Sequence, residues 1–147
     1  LLLFRFVEKH GKLLYDAIKE ESTDRTVFFV YGGTDGDTRE QIRHIVESER
    51  NAIIVASYGV FSVGVNIRNL HNIIFASPSK SRIRNLQSIG RGLRKSENKE
   101  IATLYDIADD LSYGSNHNYT LDHFEERKKI YKEEKFDTVE YFVQLKT

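Results

Sequence analysis

Five short apolar runs punctuate the chain: Leu1–Phe6, Thr26–Tyr31, Ala52–Ser57, Asn72–Ala76 and Ile101–Asp106. Each is rich in Val, Ile, Leu or Phe and shows little polar alternation, the pattern of a strand buried on both faces. Between them, apolar residues recur at helical spacing: Val7, Leu14, Ala17 and Ile18; Ile42, Ile45 and Val46; Ile83, Leu86 and Ile89. This β-α alternation predicts an α/β fold with a parallel sheet flanked by helices. Gly32-Gly33 predicts a turn closing the second strand. Asp37 followed by Glu40 has the acceptor-x-x-carboxylate spacing of a helix start. After Asp110 the texture changes. Ser112–Asn118 predicts a polar loop, and Tyr119–Lys135 a charged amphipathic helix with Leu121, Phe124, Ile130 and Tyr131 on its apolar side. A last strand is expected over Thr138–Leu145. The simplest partition is a domain over residues 1–111 with a helix-strand appendage over 112–147 packed on it.

The chain has 147 residues, 39% of them hydrophobic, enough for one ordinary core. Basic and acidic residues balance at 22 each, so any affinity for nucleic acid has to come from a local patch rather than from the total. Absence of cysteine excludes a disulfide framework and thiolate metal sites. No run approaches the 18 or so apolar residues of a membrane span. An intracellular, cytoplasmic protein without a membrane partner is expected. Leu1–Phe6 is interrupted by Arg5 and lacks a basic leader, so it reads as a core strand and not as a signal peptide. A strand already under way without an initiating methionine suggests a piece of a longer protein.

Chemistry concentrates in Gln87-Ser88-Ile89-Gly90-Arg91-Gly92-Leu93-Arg94, where two arginines three residues apart project to one side of a helix end. Paired planar guanidinium forks suit a polyphosphate, and they can stabilise charge that develops as a terminal phosphate leaves. The bland alternative is a basic helix end that complements the C-terminal dipole. The same segment holds Lys80, Arg82, Arg84, Arg91, Arg94 and Lys95 between Ser79 and Ser96, with no acidic residue. Such a patch suits backbone phosphates, with affinity that falls as salt rises; the competing reading is a solvated face neutralised by Asp106, Asp109 and Asp110. In open parallel sheets ligands bind beyond the carboxyl ends of strands, which is where Gly32–Thr34, Ser57–Tyr58 and Ser77–Lys80 fall. There Gly33 allows close approach of a phosphate, Thr34 and Ser57 offer hydroxyls, and Arg5 and Arg39 offer charge.

Other constellations carry less. The five histidines have no neighbours at metal-ligand spacing, and no metal site is predicted. Asp106, Asp109 and Asp110 read as a strand terminus rather than a magnesium site. Tyr119, Phe124, Tyr131, Phe136, Tyr141 and Phe142 read as packing rather than as a base-stacking platform.

Gln-x-x-Gly-Arg-x-x-Arg resembles motif VI of superfamily 2 helicases, with Arg91 and Arg94 at the phosphate-contacting arginine positions and Gln87 at the polar position of the catalytic cleft. Ala56–Asn66 resembles motif V, which in that family joins the nucleotide ribose to the nucleic-acid track. Ser57 stands where the pattern commonly has threonine, and Asn66 where it has aspartate. Leu1–Phe6 resembles motif IV, and Tyr31–Arg39 the segment that supplies backbone-phosphate contacts. The resemblance implies a RecA-like C-terminal motor domain with ATP contacts at Gly64, Asn66, Gly90, Arg91 and Arg94. It implies DNA contacts at Arg5, Gly33, Thr34, Arg39, Ser57, Tyr58 and Lys80. Ala56–Ser62, Leu93-Arg94-Lys95, Ile101-Ala102-Thr103, Glu134-Lys135-Phe136 and the tail Tyr119–Leu145 are similar to phage helicases of recombination and repair, which implies branched DNA as substrate.

The chain contains neither the Gly-x-x-x-x-Gly-Lys-Ser/Thr phosphate loop nor an Asp-Glu-x-x box. Hydrolysis of ATP with Mg2+ is therefore expected to need an N-terminal RecA-like domain of the same parent chain, and the 147 residues alone to be inactive. The rival expectation is a freestanding α/β module that binds nucleic acid through Lys80–Lys95 without catalysis.

Overall fold

The computed structural model describes residues 1–4, 7–62, 70–77, 102–112, 114 and 118–145. Within them the elements run β1 (Leu2–Phe4), a π-helical turn (Val7–Gly11) continuing into α1 (Lys12–Glu21), β2 (Val27–Val30), α2 (Gly36–Ser48), β3 (Ile53–Ser57), α3 (Tyr58–Ser62), β4 (Asn72–Phe75), β5 (Thr103–Asp106) and α4 (Tyr119–Glu133). The five strands form one sheet in the order β2-β3-β1-β4-β5, and every pairing is parallel. Each of the five strands expected from the apolar runs is present and slightly shorter than its run. The helix expected around Ile83, Leu86 and Ile89 lies outside the described residues.

Side chains pack on both faces of the sheet, which is why its strands read as continuous apolar runs, although Thr103 and Tyr105 of the edge strand β5 are exposed. On one face Phe4 stacks on Phe29 at 5.4 Å between centroids, with Tyr15 of α1 tilted against the same ring at 5.3 Å. On the other, Val30, Ile54, Ala56, Ile73 and Phe75 form one cluster with Val46 of α2, Tyr58, Val60 and Tyr131 of α4. The chain leaves β1 toward β2 on one side and leaves β3 toward β4 on the other. The topological switch therefore lies beside β1, at the centre of the sheet.

Three local expectations need correction. The helix start belongs to Asp35 and not to Asp37: Asp35 has extended backbone (ψ 162°), and its carboxylate accepts from the Thr38 amide at 2.8 Å and the Thr38 hydroxyl at 2.6 Å. Glu40 does not reach back to the cap; it accepts from Arg43 one turn on. The strand over Thr138–Leu145 does not form. Its alternating residues find no strand to pair with, the backbone is irregular, and Val139, Tyr141, Phe142, Val143 and Leu145 are exposed. The packing role expected of the aromatic set accordingly holds for Tyr131 and Phe136 but not for Tyr119, Tyr141 or Phe142, which are largely exposed.

α4 contacts the end of β5 through a buried ion pair. Arg127, 2% exposed, donates from Nε to Asp106 Oδ2 at 2.6 Å and from Nη2 to Oδ1 at 2.8 Å. The Tyr131 hydroxyl donates to the same carboxylate, and burial followed by the Asp106 charge raises the Tyr131 pKa, keeping that proton in place. The helix ends in a Schellman turn: the Phe136 amide donates to Tyr131 O at 3.0 Å and the Lys135 amide to Lys132 O at 3.1 Å, with Lys135 left-handed at φ 56°. Among the described residues no helix is long and apolar enough to cross a membrane.

Candidate nucleotide and nucleic-acid interface at the sheet edge

Parallel pairing puts the carboxyl ends of all the strands on one edge. The registers Val30↔Ala56, Phe4↔Ser57 and Phe75↔Asp106 align the ends of the five strands. At ~4.8 Å per strand the edge spans roughly 19 Å from β2 to β5. The segments 31–34, 57–58 and 76–77 all emerge along it, as the strand-end reading expects.

After β2 the chain makes a tight turn. The Thr34 amide donates to Tyr31 O at 3.0 Å, and the Tyr31 amide donates to Thr34 Oγ1 at 3.1 Å. As acceptor in that bond, the Thr34 hydroxyl keeps its own proton for another oxygen. Gly33 is exposed, and a Cβ there would stand 2.5 Å from Cε2 of Tyr31, whose ring leans on Phe29. The position therefore requires glycine so long as Tyr31 holds that place. Directly beyond lies the N-terminus of α2, already capped by Asp35. The Thr38 hydroxyl and then its amide hold the Asp35 carboxyl below its ordinary pKa, so the cap is anionic at neutral pH. An incoming phosphate meets that charge, which leaves the turn amides, the Thr34 hydroxyl and Arg39 as the contacts this segment can offer. Arg39 is half-exposed, and its Nε donates a long bond (3.4 Å) to Asp35 O.

At the end of β3, Ser57 is buried and aligned with Phe4. Tyr58 is 3% exposed; its ring packs against Phe75 at 5.7 Å and its hydroxyl donates to Ser77 O at 2.8 Å. A DNA contact through the Tyr58 side chain is thus not available in this arrangement, because the ring is committed to the core and the hydroxyl to the end of β4. Ser77 makes a second contact, 2.7 Å from its Oγ to Nδ1 of His10. Neither His10 nor this pairing was signalled by the sequence, since the two residues are 67 positions apart. The acids also find structural work. Asp106 binds Arg127, and Asp110 accepts from the Ser112 amide at 3.0 Å and Asn118 Nδ2 at 3.1 Å. Among the described residues no cluster of histidines and carboxylates could hold a metal ion.

Arg5, Gly64, Asn66, Lys80, Gln87, Gly90, Arg91 and Arg94 lie outside the described residues. The strands that precede them do not: β1 leads to Arg5, β3 and α3 to Gly64 and Asn66, and β4 to Lys80 and the Gln87–Arg94 motif.

Comparison with known proteins agrees with this organisation. Residues 2–96 match the helicase conserved C-terminal domain family. An ATP-dependent DNA helicase, uvsW, of Enterobacteria phage T4 is 39% identical over 154 aligned positions, covering 98% of this chain and 30% of the relative. The chain thus spans under a third of that relative's length. No solved structure matches it. With its parallel RecA-like sheet, its motif order and a family match across most of its length, the chain belongs to the superfamily 2 helicases as a helicase C-terminal domain.

Proposed function

We propose that the chain is the second motor domain of an ATP-dependent DNA helicase or translocase that acts on branched DNA in recombination, replication or repair, inside the bacterial host of a phage. The observation that carries this reading is the family match over residues 2–96, whose sequence takes in Gln87-x-x-Gly90-Arg91-x-x-Arg94. The phage relative's description as an ATP-dependent DNA helicase supports it.

In this reading ATP is the substrate and lies between two domains. Arg91 and Arg94 grip the terminal phosphate from this side, with Gln87 beside them and Gly64, Asn66 and Gly90 along the nucleotide. Arginine suits the task because its planar fork stays charged and binds two oxygens at once. Supplied across a domain boundary, such a finger is worth about 10³–10⁵ in rate. Magnesium belongs to the phosphate loop and acidic box of a first domain; Asp106, the most sheltered carboxylate of the described sheet edge, is bound to Arg127 instead. The DNA backbone runs along Gly33, Thr34, Arg39, Ser57, Arg5 and Lys80. The turn after β2 gives the close approach and the free hydroxyl proton, while Arg5 and Lys80 add charge. Tyr58 acts from within, as a brace for that edge.

The full-length protein that carries this chain should hydrolyse ATP when DNA is added, and the 147 residues alone should not. Measurable DNA-stimulated turnover by the 147-residue chain would overturn the half-motor assignment. DNA binding by a full-length protein that never turns over ATP would replace it with the binding-module reading.

A further inference from the structure

The contacts around Ser77 have a placement that the motif reading does not use. Ser77 closes the described part of β4's outgoing loop, directly before the segment that carries Lys80, Gln87, Arg91 and Arg94. Two residues from other strand ends hold it. Tyr58, first residue after β3, reaches across the end of β1 to β4, since the sheet runs β3-β1-β4, and donates its hydroxyl to Ser77 O at 2.8 Å. His10, in the helical turn after β1, meets Ser77 Oγ through Nδ1 at 2.7 Å. One residue is therefore gripped through its carbonyl by the chain after β3 and through its hydroxyl by the chain after β1. The segments so tied are the turn that follows the motif IV resemblance, the start of the motif V resemblance and the chain that leads to motif VI.

We propose that His10 and Ser77 are positioning residues for phosphoryl transfer, forming with Tyr58 a clasp that sets where the arginine-bearing segment leaves the sheet. Neither touches ATP or DNA. This inference rests on the half-motor reading and adds to it the side chains that register its arginines. The physical case is one of tolerance. Ser77 is the last described residue before Arg91 and Arg94, which follow 14 and 17 positions on in the sequence, and misplacement of a catalytic group by about 1 Å can lower a rate about a hundredfold. The Tyr58 ring is packed against Phe75 and cannot follow a displaced Ser77. A serine hydroxyl both donates and accepts, so the bond to Nδ1 forms with either imidazole tautomer.

The test uses DNA-stimulated ATP turnover by the full-length protein. His10→Leu and Ser77→Ala should each lower kcat about ten- to hundredfold, with KM for ATP changed less than twofold, as expected when a transition-state contact is misplaced and ground-state binding is kept. His10→Asn, which sets an acceptor oxygen near the Nδ1 position, should restore most of the loss. The double variant should be no slower than the worse single variant, because both remove the same bond. Wild-type kcat in His10→Leu or in Ser77→Ala overturns the proposal. So does a loss in the double variant equal to the product of the single losses, or a His10→Asn enzyme as slow as His10→Leu. If Arg91→Ala abolishes turnover while the clasp variants run at the wild-type rate, the clasp fails and the half-motor reading stands. If the wild-type protein itself has no turnover, both fail.

Discussion

Replacing Asp106 by alanine should be among the most damaging single changes in the described sheet. Arg127 would keep its charge at 2% exposure with no carboxylate to receive Nε and Nη2, while Nη1 is already without a hydrogen-bond partner. A guanidinium cannot shed its proton, so the structure must bury an uncompensated cation or release α4 from the sheet. Breaking a buried pair from one side costs about 3–5 kcal/mol, a third or more of the stability of an ordinary domain. Asp106→Ala belongs at the upper end of that range. Arg127→Ala belongs at the lower, because the stranded carboxylate keeps the Tyr131 hydroxyl as a donor. At about 2–4 °C of Tm per kcal/mol, the two variants should melt roughly 6–20 °C below the wild type. The double change Asp106→Leu with Arg127→Met, which removes both charges, should recover to within about 1 kcal/mol of the wild type, since apolar replacement of a buried pair is often neutral. Urea unfolding of the 147-residue chain followed by circular dichroism measures all three. Single-variant losses below about 1 kcal/mol, or Arg127→Ala worse than Asp106→Ala, would refute the reasoning.

Three further outcomes follow from local geometry. Lys135 is left-handed at φ 56° in the turn that ends α4; Lys135→Gly relieves about 1–2 kcal/mol of backbone strain against about 0.5–1 of added chain entropy, so urea unfolding should show a net gain near 0.5–1 kcal/mol. A loss would mean that the turn is not held in that conformation. Gly11→Ala drives a Cβ to 2.4 Å from the ring of the fully buried Phe4, and overpacking of this kind costs about 1–3 kcal/mol; an unchanged unfolding midpoint would contradict the contact. Asp35, whose pKa is lowered by its bonds to Thr38, stabilises the start of α2 above the ordinary carboxylate pKa and loses that contribution as pH falls through its own depressed value. Its carboxyl resonance should titrate below 3.8, and a midpoint at or above that figure would remove Asp35 as the cap.

What the amino-acid pattern revealed, and what it hid, divides by distance along the chain. The five strands were legible because burial on both faces leaves an unbroken apolar run, a signal contained within each segment. Parallel topology then gathered residues 31–34, 57–58 and 76–77 on one edge with no further information. The cap was misplaced by two residues because Asp35-Gly36-Asp37-Thr38 offers two chemically equal acceptors, and only the extended backbone of Asp35 selects between them. Thr138–Leu145 carries strand-like alternation, yet a strand also needs a neighbour, which alternation does not encode. In the sequence nothing separates Arg127 from the other charges of its helix; its burial goes with Asp106, 21 positions away. Tyr58 was assigned to DNA by its place in a motif, and a motif does not say which way a side chain points. The His10–Ser77 contact had no sequence signal at all.

The central claim is that Arg91 and Arg94 complete an ATP site whose other half lies on a partner domain. Its most direct test is single-turnover ATP hydrolysis by the full-length protein, with nucleotide affinity measured alongside, in Arg91→Ala and Arg94→Ala. Hydrolysis should fall by about 10³-fold or more in each variant while the Kd for ATP stays within a fewfold of the wild type. Hydrolysis at the wild-type rate in either variant would contradict the claim.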